Sequence, residues 1–395
     1  MEALSPAFLF MNAMQFKTPQ EIIQRKNVNT RGYWLLGIDA GFSSLKGFAP
    51  NKTFCFPSYV RKLDRELLMP NQSDILYRDE TGLYLIGASA QEQVTSDDTS
   101  DSESELFVRN RYTSKKFQII LAVGMAIGLT SNSYMERKKD MPVIIQTGLP
   151  TAYVRSDREK ITKAFAKRYV FDLKMGYGAW EHHDIEIPRE NIFVLPQPSG
   201  TLYSILIDES GKYVPNAPEI LKKNLLIVDA GFGTFDPYGL VNRQVVLEES
   251  LPDLGMKKIL QETSSMIFDK YGEEIRVPAM QKYLGKGTFT YLNEEERKSE
   301  EIVIAPFLEA ANKKVCMESI KVLEGMCNSL KNYNYLILTG GTCAAWYDLY
   351  RDYFGWMKSL TIIPGNKNDK LPMYYSNVRG YYMYRHMLLK AGGRS

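Results

Sequence analysis

The chain contains 395 residues, which is too long for one compact core and predicts two or three domains. It is 44% hydrophobic and 24% charged, as soluble globular proteins usually are, and its net charge of +3 gives no reason to expect a nucleic-acid-binding surface. The four cysteines form no C-x-x-C pair, which argues against a disulfide framework or a thiolate zinc site and favours a reducing cytoplasm. Apolar runs stay shorter than the ~18 residues that a membrane span needs.

Residues 1–32 are predicted to be an extension, in which Pro19 opens a short helix. Three interpretations of this extension stay open: a disordered tail or an imprecise start site, a filament or partner contact, and a helix at a membrane surface. An apolar run over residues 33–38 then predicts a strand that ends at Asp39. Residues 45–49 predict the second strand of a hairpin.

Between residues 57 and 114 the pattern weakens, and we expect a small subdomain inserted into the first half of the chain. It contains an acidic run over residues 97–105, which predicts a solvated loop. Strands and helices then alternate, which is typical of an α/β fold. The predicted elements of this part are a helix at 114–130, a strand at 143–147, a helix at 156–170 and a strand at 192–195.

The second half of the chain again opens with an apolar strand that ends in an aspartate. Farther along, a stripe of apolar residues at helical spacing predicts a long helix in which Cys316 and Cys327 are buried thiols. The predicted elements are a strand at 225–229, a helix at about 301–331, a strand at 335–339 that precedes Gly340-Gly341-Thr342, and a last helix from about Asn377.

The tetrapeptide Asp-Ala-Gly-Phe stands at the end of a predicted strand in each half of the chain, first at Asp39 and again at Asp229. An internal duplication of this kind predicts two related domains, each opening with a strand, a tight turn and a second strand. We expect domain I to span residues 33–223 plus 376–395, and domain II to span residues 224–375.

Both turns suit a polyphosphate ligand. Glycine lets backbone N–H groups approach an anion because no Cβ is in the way, and nearby hydroxyls and Lys46 add donors and positive charge. Asp39 and Asp229 would repel phosphate unless a cation lay between them, so the pair implies Mg²⁺, held mainly through water. The predicted nucleotide-binding residues are Gly41, Ser43, Ser44, Lys46, Gly231, Gly233, Thr234, Gly340, Gly341 and Thr342.

Two competing motifs are weaker. Gly285-Lys286-Gly287-Thr288 resembles the end of a P-loop, but Lys286 is followed by neither Ser nor Thr, and Met280 stands where a glycine is needed. Glu181-His182-His183-Asp184 carries metal-ligating side chains, but no second histidine pair accompanies it, and we predict a solvated loop. His386 stands alone in the last predicted helix and is interpreted as a surface or core residue.

The three glycine motifs resemble those of the superfamily of actin, sugar kinases and heat-shock chaperones. Within it the chain most resembles the bacterial ParM-type plasmid-segregation actins, to which Gly148-Leu149-Pro150 and Leu195-Pro196-Gln197-Pro198-Ser199 are similar as well. Asp39-Ala-Gly-Phe-Ser-Ser-Leu-Lys46 is similar to the first phosphate loop, Asp229-Ala-Gly-Phe-Gly-Thr-Phe-Asp236 to the second, and Leu338-Thr-Gly-Gly-Thr342 to the adenosine-side motif. The resemblance covers about residues 33–391. It implies an α/β, actin-like ATPase fold with two duplicated ribonuclease-H-like domains around a nucleotide cleft, and ATP (or GTP) with Mg²⁺ as cofactors.

The resemblance also assigns a catalytic position to Gln197, where the best-known ParM-type proteins have glutamate and actin has glutamine. Glutamine is not a strong general base, but it can orient a water for in-line attack on the γ-phosphate. Asp39 and Asp229 complete the predicted catalytic set, with Asp229 helping to polarise that water. Slow hydrolysis that acts as a timer is expected.

A fold of this kind does not by itself select a function. The resemblance favours a cytoplasmic, nucleotide-dependent filament that assembles from copies of this chain and segregates plasmid DNA through a DNA-binding adaptor. We expect no direct contact with nucleic acid and none with a membrane. The alternatives are a membrane-linked cytoskeletal or division actin homologue and a small-molecule kinase, although the position matched by Gln197 lacks the carboxylate base that a kinase needs.

Overall fold

The computed structural model of the protein describes residues 13–29, 32–94, 111–293 and 295–392. The acidic run at residues 97–105, predicted to be a solvated loop, lies outside the described residues, as do the first twelve residues of the extension. No described helix is both long and apolar enough to cross a membrane.

A six-stranded mixed sheet forms the first lobe. Its strands are β1 Glu21–Gln24, β2 Trp34–Ala40, β3 Ser44–Ala49, β4 Lys52–Pro57, β8 Val143–Leu149 and β11 Ile192–Pro196. Their order is β1-β4-β3-β2-β8-β11, and β2 at the centre is buried along its whole length, which explains its unbroken apolar run. The strand β2 pairs antiparallel with β3, which confirms the predicted hairpin, and parallel with β8.

A second, smaller sheet is inserted into the first lobe. Its strands are β5 Val60–Leu63, β6 Ile75–Asp79, β7 Gly82–Ile86, β9 Tyr169–Met175 and β10 Glu181–Ile185, in the order β10-β9-β6-β7-β5. The strands β9 and β10 come from a later part of the chain than the predicted insertion. The predicted loop at His182 and His183 is therefore wrong, because both residues pair with β9. There His183 stacks on Phe171, and His182 contacts Asp172 at 2.9 Å.

The second lobe repeats the sheet of the first. Its strands are β12 Leu225–Ala230, β13 Thr234–Val241, β14 Gln244–Glu248, β15 Leu251–Pro252, β18 Tyr335–Thr339 and β19 Thr361–Pro364. The order is β14-β13-β12-β18-β19, with β15 paired to β13. As in the first lobe, the central strand β12 pairs antiparallel with the strand that follows it and parallel with a later one. The duplication of the Asp-Ala-Gly-Phe motif is thus matched by a duplication of sheet topology.

Ten helices of the described residues cover and connect these sheets. They are α1 Ala88–Glu92, α2 Lys115–Leu129, α3 Val154–Ala166, α4 Gln197–Leu206, α5 Ala217–Lys222, α6 Met256–Tyr271, α7 Val277–Lys286, α8 Ala305–Met326, α9 Gly341–Phe354 and α10 Ser376–Lys390. The predicted helix at 114–130 is confirmed as α2, and the side chain of Ser114 caps its N-terminus by accepting from the Phe117 N–H.

The long helix predicted over residues 301–331 is shorter at both ends. Its N-terminal part is strand β17 Lys298–Val303, which forms a hairpin with β16 Thr288–Asn293. At its C-terminus, Asn328–Leu330 adopt positive φ angles, which cannot continue a right-handed helix. The apolar stripe nevertheless packs in the core of the second lobe, and Cys316 and Cys327 are buried thiols as predicted.

Helices α4 and α10 lie between the two lobes, and their side chains share one core with the inner faces of both large sheets. The two helix backbones cross in close contact at Gly200 and Gly380. A Cβ atom at Gly380 would overlap the Gly200 carbonyl group, so only glycine permits this approach. The lobes are therefore joined through a packed helix pair.

The extension is ordered over residues 13–29, so the interpretation of this part as a disordered tail is wrong. The predicted short helix after Pro19 is also wrong, because the residues that follow form β1 and pair antiparallel with β4. The free edge of the first sheet offers unpaired backbone groups, and hydrogen bonds to these outweigh a weak local helix preference.

Candidate functional site

The two Asp-Ala-Gly-Phe turns face each other across a cleft between the lobes. A narrow cavity of about 80 Å³ at the bottom of this cleft is lined by Asp39, Lys46, Gln197 and Asp229, together with Gly340 of the third motif. A larger cavity of about 600 Å³ adjoins it. Both cavities are lined by Ser43, Lys46, Gly231, Phe232, Gly341 and Tyr374, so they form one continuous cleft.

Most of the predicted site residues meet here. Ser44 and Thr342 line the larger cavity, and the others line the narrow one or both, except for Gly233. A Cβ atom at Gly233 would lie 3.7 Å from the ring of Phe42, so this glycine faces the opposite turn.

In the first turn, a carboxylate and an ammonium group face the cleft side by side. Asp39 and Lys46 are direct partners across β2 and β3, and Lys46 Nζ lies 3.4 Å from Asp39 Oδ2. Burial lowers the pKa of Lys46, but the acidic groups around it, with Asp39 first and Asp229 among them, together outweigh burial, and the net pKa lies above its ordinary value. Lys46 therefore keeps its positive charge inside the cleft.

Arg111 holds the backbone of the first turn. This buried residue donates hydrogen bonds to the carbonyl oxygens of Ala40 and Gly41, and its guanidinium lies 4.3 Å from the ring centre of Phe42. It fixes the shape of the turn and adds a second positive charge. No motif in the sequence signalled this role, because Arg111 lies far from the turn along the chain.

In the second turn, two carboxylates take the corresponding places. Asp229 and Asp236 are direct partners across β12 and β13. Burial raises the pKa of Asp229 to about 6 and that of Asp236 to about 7, and the Asp229 charge raises the pKa of Asp236 as well. The hydroxyls of Thr234 and Ser250 donate to Asp236. Thr234 is predicted to donate a hydrogen bond to phosphate, but in this structure its hydroxyl donates to the carboxylate of Asp236.

A chain of buried hydrogen bonds orients Asp229. The side-chain amide of Asn377 in α10 donates to Asp229 Oδ2 at 2.6 Å. The hydroxyl of Thr201 in α4 lies 2.6 Å from Asn377 Oδ1 and 2.9 Å from the hydroxyl of Thr339. Sequence reasoning missed Asn377 and Thr201 and gave no such role to Thr339 of the third motif, because the three residues come from separate elements that meet only in the folded chain.

Gln197 approaches the first turn from the end of strand β11 in the same lobe. It is the first residue of α4, directly after strand β11. Its side-chain amide nitrogen lies 3.4 Å from Asp39 Oδ1. The side chain thus lies beside Asp39 in the cavity that Asp229 also lines, where an amide can hold a water molecule by hydrogen bonds.

The third glycine motif packs directly on the second turn. Gly340 has φ 90°, and a Cβ atom there would lie 2.4 Å from the Ala230 carbonyl oxygen. Thr342 donates to the Gly231 carbonyl oxygen at 2.6 Å. Helix α9 begins at Gly341, which lines both cavities, so its N-terminus adjoins the cleft and favours an anion there.

The donor set of the cleft fits a hydrated Mg²⁺ ion that accompanies a polyphosphate. The described residues contain no group of three or more His, Cys, Asp or Glu side chains that could hold a metal by itself. An ion here would take most of its ligands from phosphate and water, as Mg²⁺ commonly does. Burial raises the pKa of Asp229 and of Asp236, and a cation bound here would stabilise their ionised forms.

The competing motifs have structural roles. Gly287 ends α7 in the left-handed conformation, so the P-loop-like sequence is a helix terminus. His386 is buried in α10, in agreement with its interpretation as a core residue.

Comparison with known proteins agrees with this geometry. Residues 37–200 match the family model of the N-terminal domain of actin-like proteins. No curated protein sequence matches the chain.

Solved structures match along nearly the whole chain. A non-polymerisable quadruple mutant of pCBH ParM is 18% identical, with a TM-score of 0.67, and the match covers 90% of this chain and 99% of that one. A ParM chain of a 15-stranded filament from Clostridium botulinum is 19% identical, with a TM-score of 0.65 over 89% of this chain and 98% of that one. The archaeal actin homologue Ta0583 is 16% identical, with a TM-score of 0.60 over 90% and 99%. The predicted actin-like fold is thereby confirmed, and residues 37–200 are similar to the N-terminal domain of actin-like proteins.

Proposed function

We propose that this protein is a slow ATPase whose nucleotide state controls its assembly into filaments. The observation that carries the proposal is the charge arrangement of the cleft, where a lysine beside one glycine turn faces a pair of buried carboxylates beside the other. Such a pair of turns suits a phosphate chain on one side and its counter-cation on the other.

The proposed roles follow from the positions of the side chains. Lys46 and the N–H groups of the two turns bind the phosphates, and Asp39 and Asp229 hold Mg²⁺ through water. The cation, when bound, neutralises negative charge on the phosphates. Gln197 orients the attacking water. Asn377 keeps the Asp229 carboxylate in the orientation in which it polarises that water. The ligand can be ATP or GTP, since no described contact selects the base.

Self-assembly is supported by the relatives. One solved relative is described as a 15-stranded ParM filament, and another, with a TM-score of 0.55, as an Alp12 filament. We infer the same type of assembly for this chain, in the cytoplasm, with plasmid DNA attached through an adaptor protein. We also propose the domain boundaries predicted from the sequence: an extension that ends at residue 32, and a domain II that begins after residue 223 and ends at residue 375.

Sedimentation with nucleotide tests the proposal directly. The purified chain is expected to pellet with Mg²⁺ and a non-hydrolysable ATP analogue, and to return to the supernatant after ATP is hydrolysed. Asp229→Asn should abolish both pelleting and phosphate release, whereas Asp269→Asn, at an exposed site on α6, should change neither. A wild-type protein that stays monomeric at high concentration with the analogue would refute the filament, and one that releases no phosphate would refute the ATPase.

A further inference from the structure

Residues 14–19 of the N-terminal segment line the larger half of the cleft. They form one side of the cavity of about 600 Å³, and Ser44, Lys46 and Gly231 of the two phosphate turns lie on the other sides. Tyr347 of α9 also lines this cavity. The segment is therefore a wall of the same cleft that holds the predicted nucleotide-binding residues.

One end of the segment is anchored in the second lobe. Ala13 and Phe16 are buried in the core of that lobe. The side chain of Gln281 in α7, which is 1% exposed, accepts a hydrogen bond from the Thr18 N–H at 2.9 Å. The same side chain donates to the Phe16 carbonyl oxygen at 3.4 Å. A single buried glutamine thus forms hydrogen bonds with the backbone of the segment on both sides of Lys17.

The other end of the segment is anchored in the first lobe. Lys17 Nζ lies 3.4 Å from a carboxylate oxygen of Glu92 in α1. The side chain of Gln20 accepts from the Ala88 N–H at 2.7 Å and donates to the Ser73 carbonyl oxygen. The chain then continues as β1, so the segment crosses from one lobe to the other alongside the cleft.

We propose that residues 14–19 are a binding element for the nucleoside half of the nucleotide and retain it in the cleft. This inference rests on the proposed nucleotide function. If the two turns hold the phosphates, the sugar and base of the same ligand must extend into the adjoining cavity, whose volume is that of an ordinary small-molecule site. The segment covers that cavity and is fixed to both lobes. Nucleotide therefore leaves when the anchor at Phe16 and Gln281 opens.

The test uses the full chain, Mg²⁺ and ATP that carries a fluorescent methylanthraniloyl group on its ribose. In Gln281→Leu, both hydrogen bonds to the segment are lost while the side-chain volume is kept. We expect the dissociation rate, measured by stopped flow against excess ATP, to rise about tenfold, the factor that corresponds to the net contribution of one or two hydrogen bonds. Phe16→Ala should act in the same direction. Gln118→Leu is the matched control, since this glutamine of α2 lines neither cavity.

A second readout shows whether the segment has been released. Trypsin should cleave after Lys17 faster in Gln281→Leu than in the wild type when no nucleotide is present. Faster cleavage with an unchanged dissociation rate would overturn the inference, because the free segment would then not retain the ligand. Unchanged cleavage and dissociation would overturn it as well, since Gln281 would not be the anchor. If the wild type itself does not bind the labelled ATP, the proposed function fails first and this inference falls with it.

Discussion

The two lobes have the same sheet topology and the same Asp-Ala-Gly-Phe turn, yet they place opposite charges in the cleft. In the first lobe, the residue opposite the motif aspartate on the neighbouring strand is Lys46, and in the second lobe it is Asp236. One turn thus carries a compensated ion pair, and the other carries two buried carboxylates. The same backbone turn occurs twice, and in the function proposed above a single position on the second strand divides the roles between phosphate and cation.

The lobes also differ at the edge of the sheet. In the first lobe β1 covers β4, whose residues are all buried. In the second lobe the matching edge strand β14 is mostly exposed. The covering strand carries Arg25 just beyond its end, and Arg25 binds Asp369, which lies after β19 of the second lobe. Arg379 of α10 binds the same carboxylate. The N-terminal strand therefore closes one edge and also ties the lobes together.

The largest expected effect concerns the bonds from Arg25 and Arg379 to Asp369. Asp369→Asn leaves Arg379 buried without a counter-charge, and we expect a loss of about 3 kcal/mol or more in the free energy of unfolding at pH 7, measured by urea denaturation. Asp348→Asn, at an exposed position of α9, is the control. A change below about 1 kcal/mol would show that the bonds from Arg25 and Arg379 to Asp369 add little to the packing that joins the lobes.

The same carboxylate gives a pH dependence. Burial alone would raise the pKa of Asp369, but the bonds from Arg25 and the charge of Arg379 outweigh it and hold the pKa below its ordinary value of 3.8. Its stabilising contribution is therefore present above the ordinary pKa and is lost as the pH falls through the lower, folded-state pKa. Stability of the wild type should fall more steeply below pH ~4 than that of Asp369→Asn.

The next largest effect tests the phosphate side of the comparison. Lys46→Ala removes the ammonium group of the first turn and leaves Asp39 uncompensated. We expect Mg-ATP binding, measured by calorimetry, to weaken roughly a hundredfold, as for the loss of a charged hydrogen-bonding group. Lys62→Ala, at an exposed position of β5, should bind normally. Unchanged binding in Lys46→Ala would remove the first turn from the nucleotide site.

A smaller effect is expected from the orientation of Asp229. Asn377→Ala removes the amide that donates to its carboxylate. The single-turnover hydrolysis rate should fall about tenfold while the affinity for Mg-ATP changes less than threefold, because binding tolerates a reorientation that water activation does not. A large loss of affinity with an unchanged rate would assign Asn377 to binding instead.

The smallest expected effect tests directly whether the two turns differ in charge balance. In the absence of metal and nucleotide, Asp236→Asn should raise the free energy of unfolding by about 1 kcal/mol, because it relieves a buried, uncompensated charge. The matched change Asp39→Asn should lower it by a similar amount, because it leaves Lys46 without its partner. Shifts of the same sign in both variants would mean that the turns do not differ in charge balance.

Much of the cleft could be predicted from local sequence. The strands that end in Asp39 and Asp229 are apolar runs long enough to be buried, and their turns contain the glycines that a close backbone approach needs. Two matching copies made the duplication visible without any alignment. Two of the incorrect predictions, by contrast, concern β1 and β10, whose sequences favour a helix start and a polar loop. Each became a strand because a neighbouring strand offered it an unpaired edge.

The sequence by itself determined the periodic elements, the paired turns and the fold class, because these depend on residues close together in the chain. Only the tertiary structure decided which side chains complete the turns. Arg111, Asn377 and Thr201 reach the cleft from separate elements. It also decided that the N-terminal segment lies against the cleft and bridges the lobes. Contacts between residues distant in the chain depend on the register and packing of whole elements, and no local pattern records them.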